Sequence, residues 1–328
     1  MRDRYKFHLI PWLFLGVLAI PVCLASYEYA IERVWLSRNR PLGQMVNIGG
    51  YRLHLNCSGR GAPGVILEAG LGDSSLIWHD VQRSISQFTR VCSYDRAGLG
   101  WSDSSPLARD PLNETTELHL LLENAGITDR VVLVGHSMGG DLVRLYAYRF
   151  PKQVAGIVLV EPSNEDRWSL ITGLRTQWEG FRRDCRYDSW KARFGWMRLK
   201  PQPLEEYPHS VRTLAEALSS VPTAEAANCG EIHSIIGDGP QQVGQANTLW
   251  NIPLIVVTAG QNIFADDTPL PDRGKAGNLW KEMQANTAHV SSRGEQVFAM
   301  KSSHFVQYDE PDVVVTQVHR LLNEIAAQ

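Results

Sequence analysis

Short apolar runs separated by turn-forming residues recur along this chain from Tyr51 onward. Tyr51 to Asn56 alternates apolar and polar positions, which predicts a strand with one buried face. Gly64 to Glu68 (GVILE), Arg90 to Tyr94 (RVCSY), Arg130 to Val134 (RVVLV), Gly156 to Val160 (GIVLV), Pro253 to Thr258 (PLIVVT) and Gln296 to Met300 (QVFAM) are nearly continuous apolar runs. That is the pattern of strands covered on both faces. Leu118 to Asn124 and Asp141 to Phe150 read as helices, the second stopped by Pro151, and Val313 to Ala326 reads as a closing amphipathic helix. Strands separated by helices predict a parallel sheet with helices on both faces.

Two stretches break the alternation. From His8 to Tyr27 no Lys, Arg, Asp or Glu interrupts an apolar run, and Arg2, Arg4 and Lys6 precede it. A run of about 20 residues matches the hydrocarbon thickness of a bilayer. The expectation is a transmembrane anchor with its linker over residues 1–40, N-terminus inside, so that the protein is membrane-anchored with its catalytic domain extracytoplasmic. A signal peptide cut after Ala25 and a buried core helix are the competing readings. The second stretch is 162–250, which lacks any buried-strand pattern but carries Trp168, Trp178, Trp190 and Trp196. It is too long for a plain connection and predicts a helical cap inserted into a domain spanning 41–328. From Glu165 to Lys200 it holds nine Lys and Arg against five Asp and Glu. The simplest reading is solvated helix faces over a Trp-packed core.

Composition narrows the chemistry. A formal net charge of −3 over 328 residues carries no electrostatic footprint for nucleic acid. There is no zinc-type Cys/His spacing, P-loop or dinucleotide fingerprint, so no cofactor and no metal are expected. Cys23 lies in the apolar run; Cys57, Cys92, Cys185 and Cys229 remain, compatible with two disulfides, although count alone favours four buried thiols.

The strongest chemical signal is Gly135-His136-Ser137-Met138-Gly139-Gly140, placed directly after one buried strand and directly before a helix. A tight strand-to-helix turn lifts a serine hydroxyl clear of the sheet edge, and the helix N-terminus faces any developing oxyanion. A serine needs a base to remove its proton. His304 follows the last strand across a short Lys301-Ser302-Ser303 turn, which places it at the same sheet edge as Ser137. The oxyanion hole is assigned to the N–H groups of Met138 and of Leu71, the latter in the turn Ala69-Gly70-Leu71-Gly72.

These motifs, with Tyr94-Asp95-Arg96-Ala97-Gly98-Leu99-Gly100-Trp101-Ser102 and Ser303-His304-Phe305, stand in an order that resembles the α/β-hydrolase superfamily from about Val46 to the C-terminus. The resemblance implies the α/β-hydrolase fold: a mostly parallel eight-stranded sheet, its second strand antiparallel, helices on both faces and a cap after strand 6. It implies that Asp95 and Arg96 are structural. It also makes strands 2 and 4 neighbours, which predicts a Cys57–Cys92 disulfide, with Cys185–Cys229 as a second bond inside the cap.

The family's usual acid position, three residues after Gly260, is Ile263 here. Glu161 ends the sixth strand, where haloalkane dehalogenases carry their acid, and is preferred; Asp266 is the alternative and Asp267 a lesser one. The sequence therefore points to a serine hydrolase cleaving a carboxylic ester, or related acyl bond, of a small molecule. A catalytically silent binding module on this fold and an acyltransferase with the same residues are the rival readings.

Overall fold

The structure, a computed structural model, describes residues 6–264 and 269–327, with side chains from residue 19 onward. The strands among the described residues are β1 (Gln44–Asn47), β2 (Arg52–Ser58), β3 (Gly64–Glu68), β4 (Val91–Tyr94), β5 (Val131–His136), β6 (Val154–Val160), β7 (Leu254–Ala259) and β8 (Gly294–Ala299). They form one eight-stranded sheet in the order β1-β2-β4-β3-β5-β6-β7-β8. β2 runs antiparallel to β1 and β4, and every other neighbouring pair is parallel. Every residue of β5, β6 and β7 is buried, which is why their sequences show no alternation.

Helix α1 (Lys6–Arg38) precedes the sheet, followed by α2 (His79–Ile85), α3 (Pro111–Asn124) and α4 (Met138–Arg149). Between β6 and β7 lie α5 (Arg167–Leu170), α6 (Leu174–Ala192), α7 (Trp196–Leu199), α8 (Arg212–Ser219), α9 (Pro222–Ile236) and α10 (Gly239–Val243). The chain closes with α11 (Arg273–Ala288), α12 (Val306–Asp309) and α13 (Pro311–Ala326). α3 starts where Asp110 accepts the Asn113 N–H at 3.1 Å, with Pro111 in the first turn. One sheet face is covered around Trp78, Ile85, Val318 and Leu321, the other around Leu118, Leu121, Val143 and Tyr146.

The apolar pattern did not mark β1, which is short and largely exposed, or α11, whose sequence lacks a clear apolar stripe. Both expected disulfides are present, the first from the family's strand order and the second within the insertion, against the free thiols favoured by count. Cys57 stands directly opposite Cys92 in the β2–β4 register, with Cα atoms 4.0 Å apart. Cys185–Cys229 joins α6 to α9 at 5.2 Å. Trp168 and Trp178 pack edge to face inside the insertion, but Trp190 and Trp196 are exposed, so only part of the expected Trp core exists.

The expectation of a membrane anchor, and with it a membrane-anchored extracytoplasmic location, is corrected. Among the described residues no helix is long and apolar enough to cross a membrane. The helix does not end where the apolar run ends. It continues to Arg38, and Glu28, Glu32, Arg33 and Arg38 belong to the same element. Glu28 is buried and accepts the Arg198 Nε–H at 2.8 Å, so this half of α1 docks on the helical insertion. Trp35 and Leu36 pack against the core beneath the sheet. Arg2 and Arg4 lie outside the described residues.

Candidate active site

β5 ends at His136 and α4 begins at Met138, leaving Ser137 alone to make the turn. Its φ of 53° and ψ of −120° are a conformation that costs a non-glycine residue of order 1–3 kcal/mol. Backbone bonds hold it there: Ser137 N–H donates to the Val160 carbonyl at 3.1 Å, and its carbonyl accepts from Gly140 at 2.9 Å and Ser163 at 3.0 Å. Space at this turn is short. A side-chain carbon at Gly139 would sit 2.4 Å from the Ala69 carbonyl oxygen, so glycine lets the β3 loop close against the serine turn.

The β8–α12 turn brings His304 to the same edge, its Nε2 3.0 Å from Ser137 Oγ. Both residues are only partly buried, so the pair is open to a reactant. His136, next to the serine, points away from it and donates Nε2–H to the His304 carbonyl at 2.9 Å, bracing the turn that carries the second histidine. Desolvation pushes the His304 imidazole down to about 4, so it is neutral at pH 7. Its Nδ1 is buried without a partner among the described residues.

The two assigned donors lie on the helix and the loop that flank the serine turn. Met138 opens α4, so its N–H has no acceptor within the helix. Leu71 N–H has no protein acceptor among the described residues, and its loop lies against the serine turn through the Ala69–Gly139 approach. Glu161 is fully buried at the end of β6, with φ 46°. Its carboxylate is not bonded to His304. Oε2 accepts the Ala259 N–H at 2.5 Å and Oε1 the Trp280 Nε1–H at 2.6 Å. Burial raises its carboxyl to about 7 despite these bonds. Asp266 and Asp267 lie outside the described residues.

The fold has counterparts among known proteins. A family model described as the alpha/beta hydrolase fold matches residues 63–189. The uncharacterized protein YqjL of Bacillus subtilis (strain 168) is 23% identical over 257 residues, covering 78% of this chain and 82% of that protein. A thermophilic esterase from Thermogutta terrifontis superposes with a TM-score of 0.60 at 19% identity, over 86% of this chain and 98% of that one. The haloalkane dehalogenase DbeA-M1 loop variant from Bradyrhizobium elkanii does so with a TM-score of 0.63 at 15% identity, over 87% and 97% of the two chains. The chain has the α/β-hydrolase fold. At these identities the likeness to the solved structures is one of fold, and the chemistry has to be argued from the residues in place.

In this α/β-hydrolase fold the same sheet edge also holds residues that the sequence did not single out. Trp280, from α11, fixes the Glu161 carboxylate across the end of the sheet. Arg96 was expected to be structural, and it is: its guanidinium donates to the Ala69 and Gly70 carbonyls and pairs with Glu68. Tyr94 donates to the same Glu68. The partner of Arg96 from the insertion, Glu231, gave no local signal, because a glutamate inside a helix is ordinary until the fold places it against a buried arginine.

Proposed function

We propose that this chain is a serine hydrolase of carboxylic esters, with Ser137 as nucleophile and His304 as general base. The observation that carries the reading is the 3.0 Å approach of His304 Nε2 to the hydroxyl of a serine held in a strained strand-to-helix turn. Ser137 Oγ attacks the acyl carbonyl carbon as its proton passes to His304 Nε2. The carbonyl oxygen becomes an oxyanion that accepts from Leu71 N–H and Met138 N–H. Collapse breaks the ester C–O bond, and the alcohol leaves with the proton from His304. Water then attacks the acyl-enzyme by the same steps in reverse, releasing the carboxylic acid and restoring Ser137.

Glu161 is proposed as the acid that orients His304. A carboxylate has about four lone-pair sites, and Glu161 uses one on each oxygen, leaving capacity for a further donor. His304 Nδ1 is the buried ring nitrogen in need of an acceptor. The helices of 162–250 are proposed as a cap, because Cys185, Cys229, Ile232 and Ile235 form one apolar cluster with Met138 and Leu142, against which Leu71 packs.

The test is Ser137→Ala, assayed with p-nitrophenyl esters of increasing acyl length and with a fluorophosphonate probe. The variant should lose labelling and hydrolyse esters several orders of magnitude more slowly than the wild type. Retention of more than about a tenth of the rate would sink the assignment. A wild-type protein that neither labels nor turns over would instead be a binding module on this fold.

A further inference from the structure

The peptide that supplies the Leu71 donor is held from both sides by charged groups. The Gly70 carbonyl and the Leu71 N–H belong to one peptide plane, and in a trans peptide they point in opposite directions. Arg96 Nη2 donates to that carbonyl at 2.6 Å, and Nη1 donates to the preceding Ala69 carbonyl at 2.8 Å. Fixing the carbonyl therefore fixes the direction of the Leu71 N–H.

Arg96 is in turn set by Glu231, which reaches across from α9 of the helical insertion. Oε1 accepts from Arg96 Nε at 2.7 Å and Oε2 from Nη2 at 2.9 Å. The same Oε2 accepts the Gly72 N–H at 2.8 Å, so the peptide after Leu71 is tied as well. Glu231 is 1% exposed and Arg96 2%, which removes water as a competitor for these bonds. α9 also presses on the loop directly. Gly72 has φ 69°, and a side-chain carbon there would meet Asn228 Oδ1 at 2.6 Å. Glu68 accepts from Arg96 Nη1 at 2.8 Å, so without Glu231 the guanidinium keeps a charge partner but loses the one that fixes its Nε edge.

We propose that Glu231 is a positioning residue: through Arg96 and Gly72, the helical insertion aims the Leu71 N–H and so sets the strength of the oxyanion hole. The inference rests on the proposed use of Leu71 as an oxyanion donor. A purely structural tie between insertion and core would change stability alone. A positioning role changes the transition state more than the bound ester, since the oxyanion exists only in the former.

Glu231→Gln preserves size while replacing one acceptor oxygen by an amide that faces the guanidinium. The expected result is a fall in kcat for p-nitrophenyl esters of about tenfold or more, with KM within about twofold. Affinity for a trifluoromethyl ketone, whose adduct with the serine carries an oxyanion, should fall by the same factor, while inhibition by the carboxylic acid product stays unchanged. Unchanged kcat and ketone affinity in folded protein would overturn the proposal, even with a lowered melting temperature. Should Glu231→Gln not fold, Arg96→Lys, which keeps the buried charge but lacks the planar fork, is read by the same constants. Ser137→Ala measured alongside separates the two failures. Activity surviving in that variant refutes the nucleophile; an inactive Ser137→Ala beside an unimpaired Glu231→Gln refutes only the role of Glu231.

Discussion

The proposal of Glu161 as the acid for His304 turns on the ionisation of individual residues. Glu161 and His304 are both pressed toward neutrality by burial, the carboxyl up to about 7 and the imidazole down to about 4. If Glu161 is the acid, it must ionise before it can stabilise an imidazolium. The acid limb of kcat/KM should then lie near pH 7 and move to lower pH in Glu161→Gln, with a large loss of turnover. A wild-type limb near pH 4, the value for His304 itself, would reject Glu161, and a loss of activity confined to Asp266→Asn would assign the role to Asp266. Stability gives an independent reading. A folded pKa above the ordinary 4.5 means that the contribution of Glu161 is full below about pH 4.5 and is lost as pH rises through about 7. Denaturant unfolding between pH 5 and 8 should therefore show a shallower decline for Glu161→Gln than for the wild type; parallel curves would show that Glu161 does not titrate there. The serine turn, the loop after β3 and the histidine after the last strand were legible in the sequence because each belongs to a local pattern of strand, turn and glycine. The bonds of Glu161 to Ala259 and Trp280 were not, since they join elements about a hundred residues apart.

At the scale of elements, the insertion is stapled rather than merely packed. Cys185–Cys229 closes a segment of 44 residues between α6 and α9, two positions before Glu231. Loop-closure entropy for that length predicts a loss of about 4 kcal/mol when both cysteines become serine. Differential scanning calorimetry on the double variant checks this, and a melting temperature equal to that of the wild type would show that helix packing alone holds the insertion. The apolar periodicity located the sheet well, because buried parallel strands have no polar positions to blur them. It was blind to β1 and to α11. The first takes its identity from pairing with β2, and the second from docking Trp280 and Met283 into a small cluster.

For the whole molecule, the N-terminal helix changes meaning once the fold is known. Glu28 is 3% exposed and bonded to Arg198, and Trp101 Nε1 donates to the Asn39 carbonyl at 2.9 Å, so α1 and its exit tie the insertion to the core. Glu28→Ala should lower unfolding stability by about 1.5–3 kcal/mol, the range for a hydrogen bond to a charged group, read from denaturant midpoints. An unchanged midpoint would show that the helix rests on the domain without stabilising it. The sequence by itself determined the α/β architecture, the serine turn and the histidine after the last strand, because periodicity, glycine placement and strand ends are local properties of the chain. Only the tertiary structure decided that the helix carrying the apolar run also docks on the insertion, and that a glutamate from the insertion holds the arginine beneath the loop after β3. Those outcomes depend on which charges meet after the chain has folded, and a buried charge takes its role from the partner it finds there.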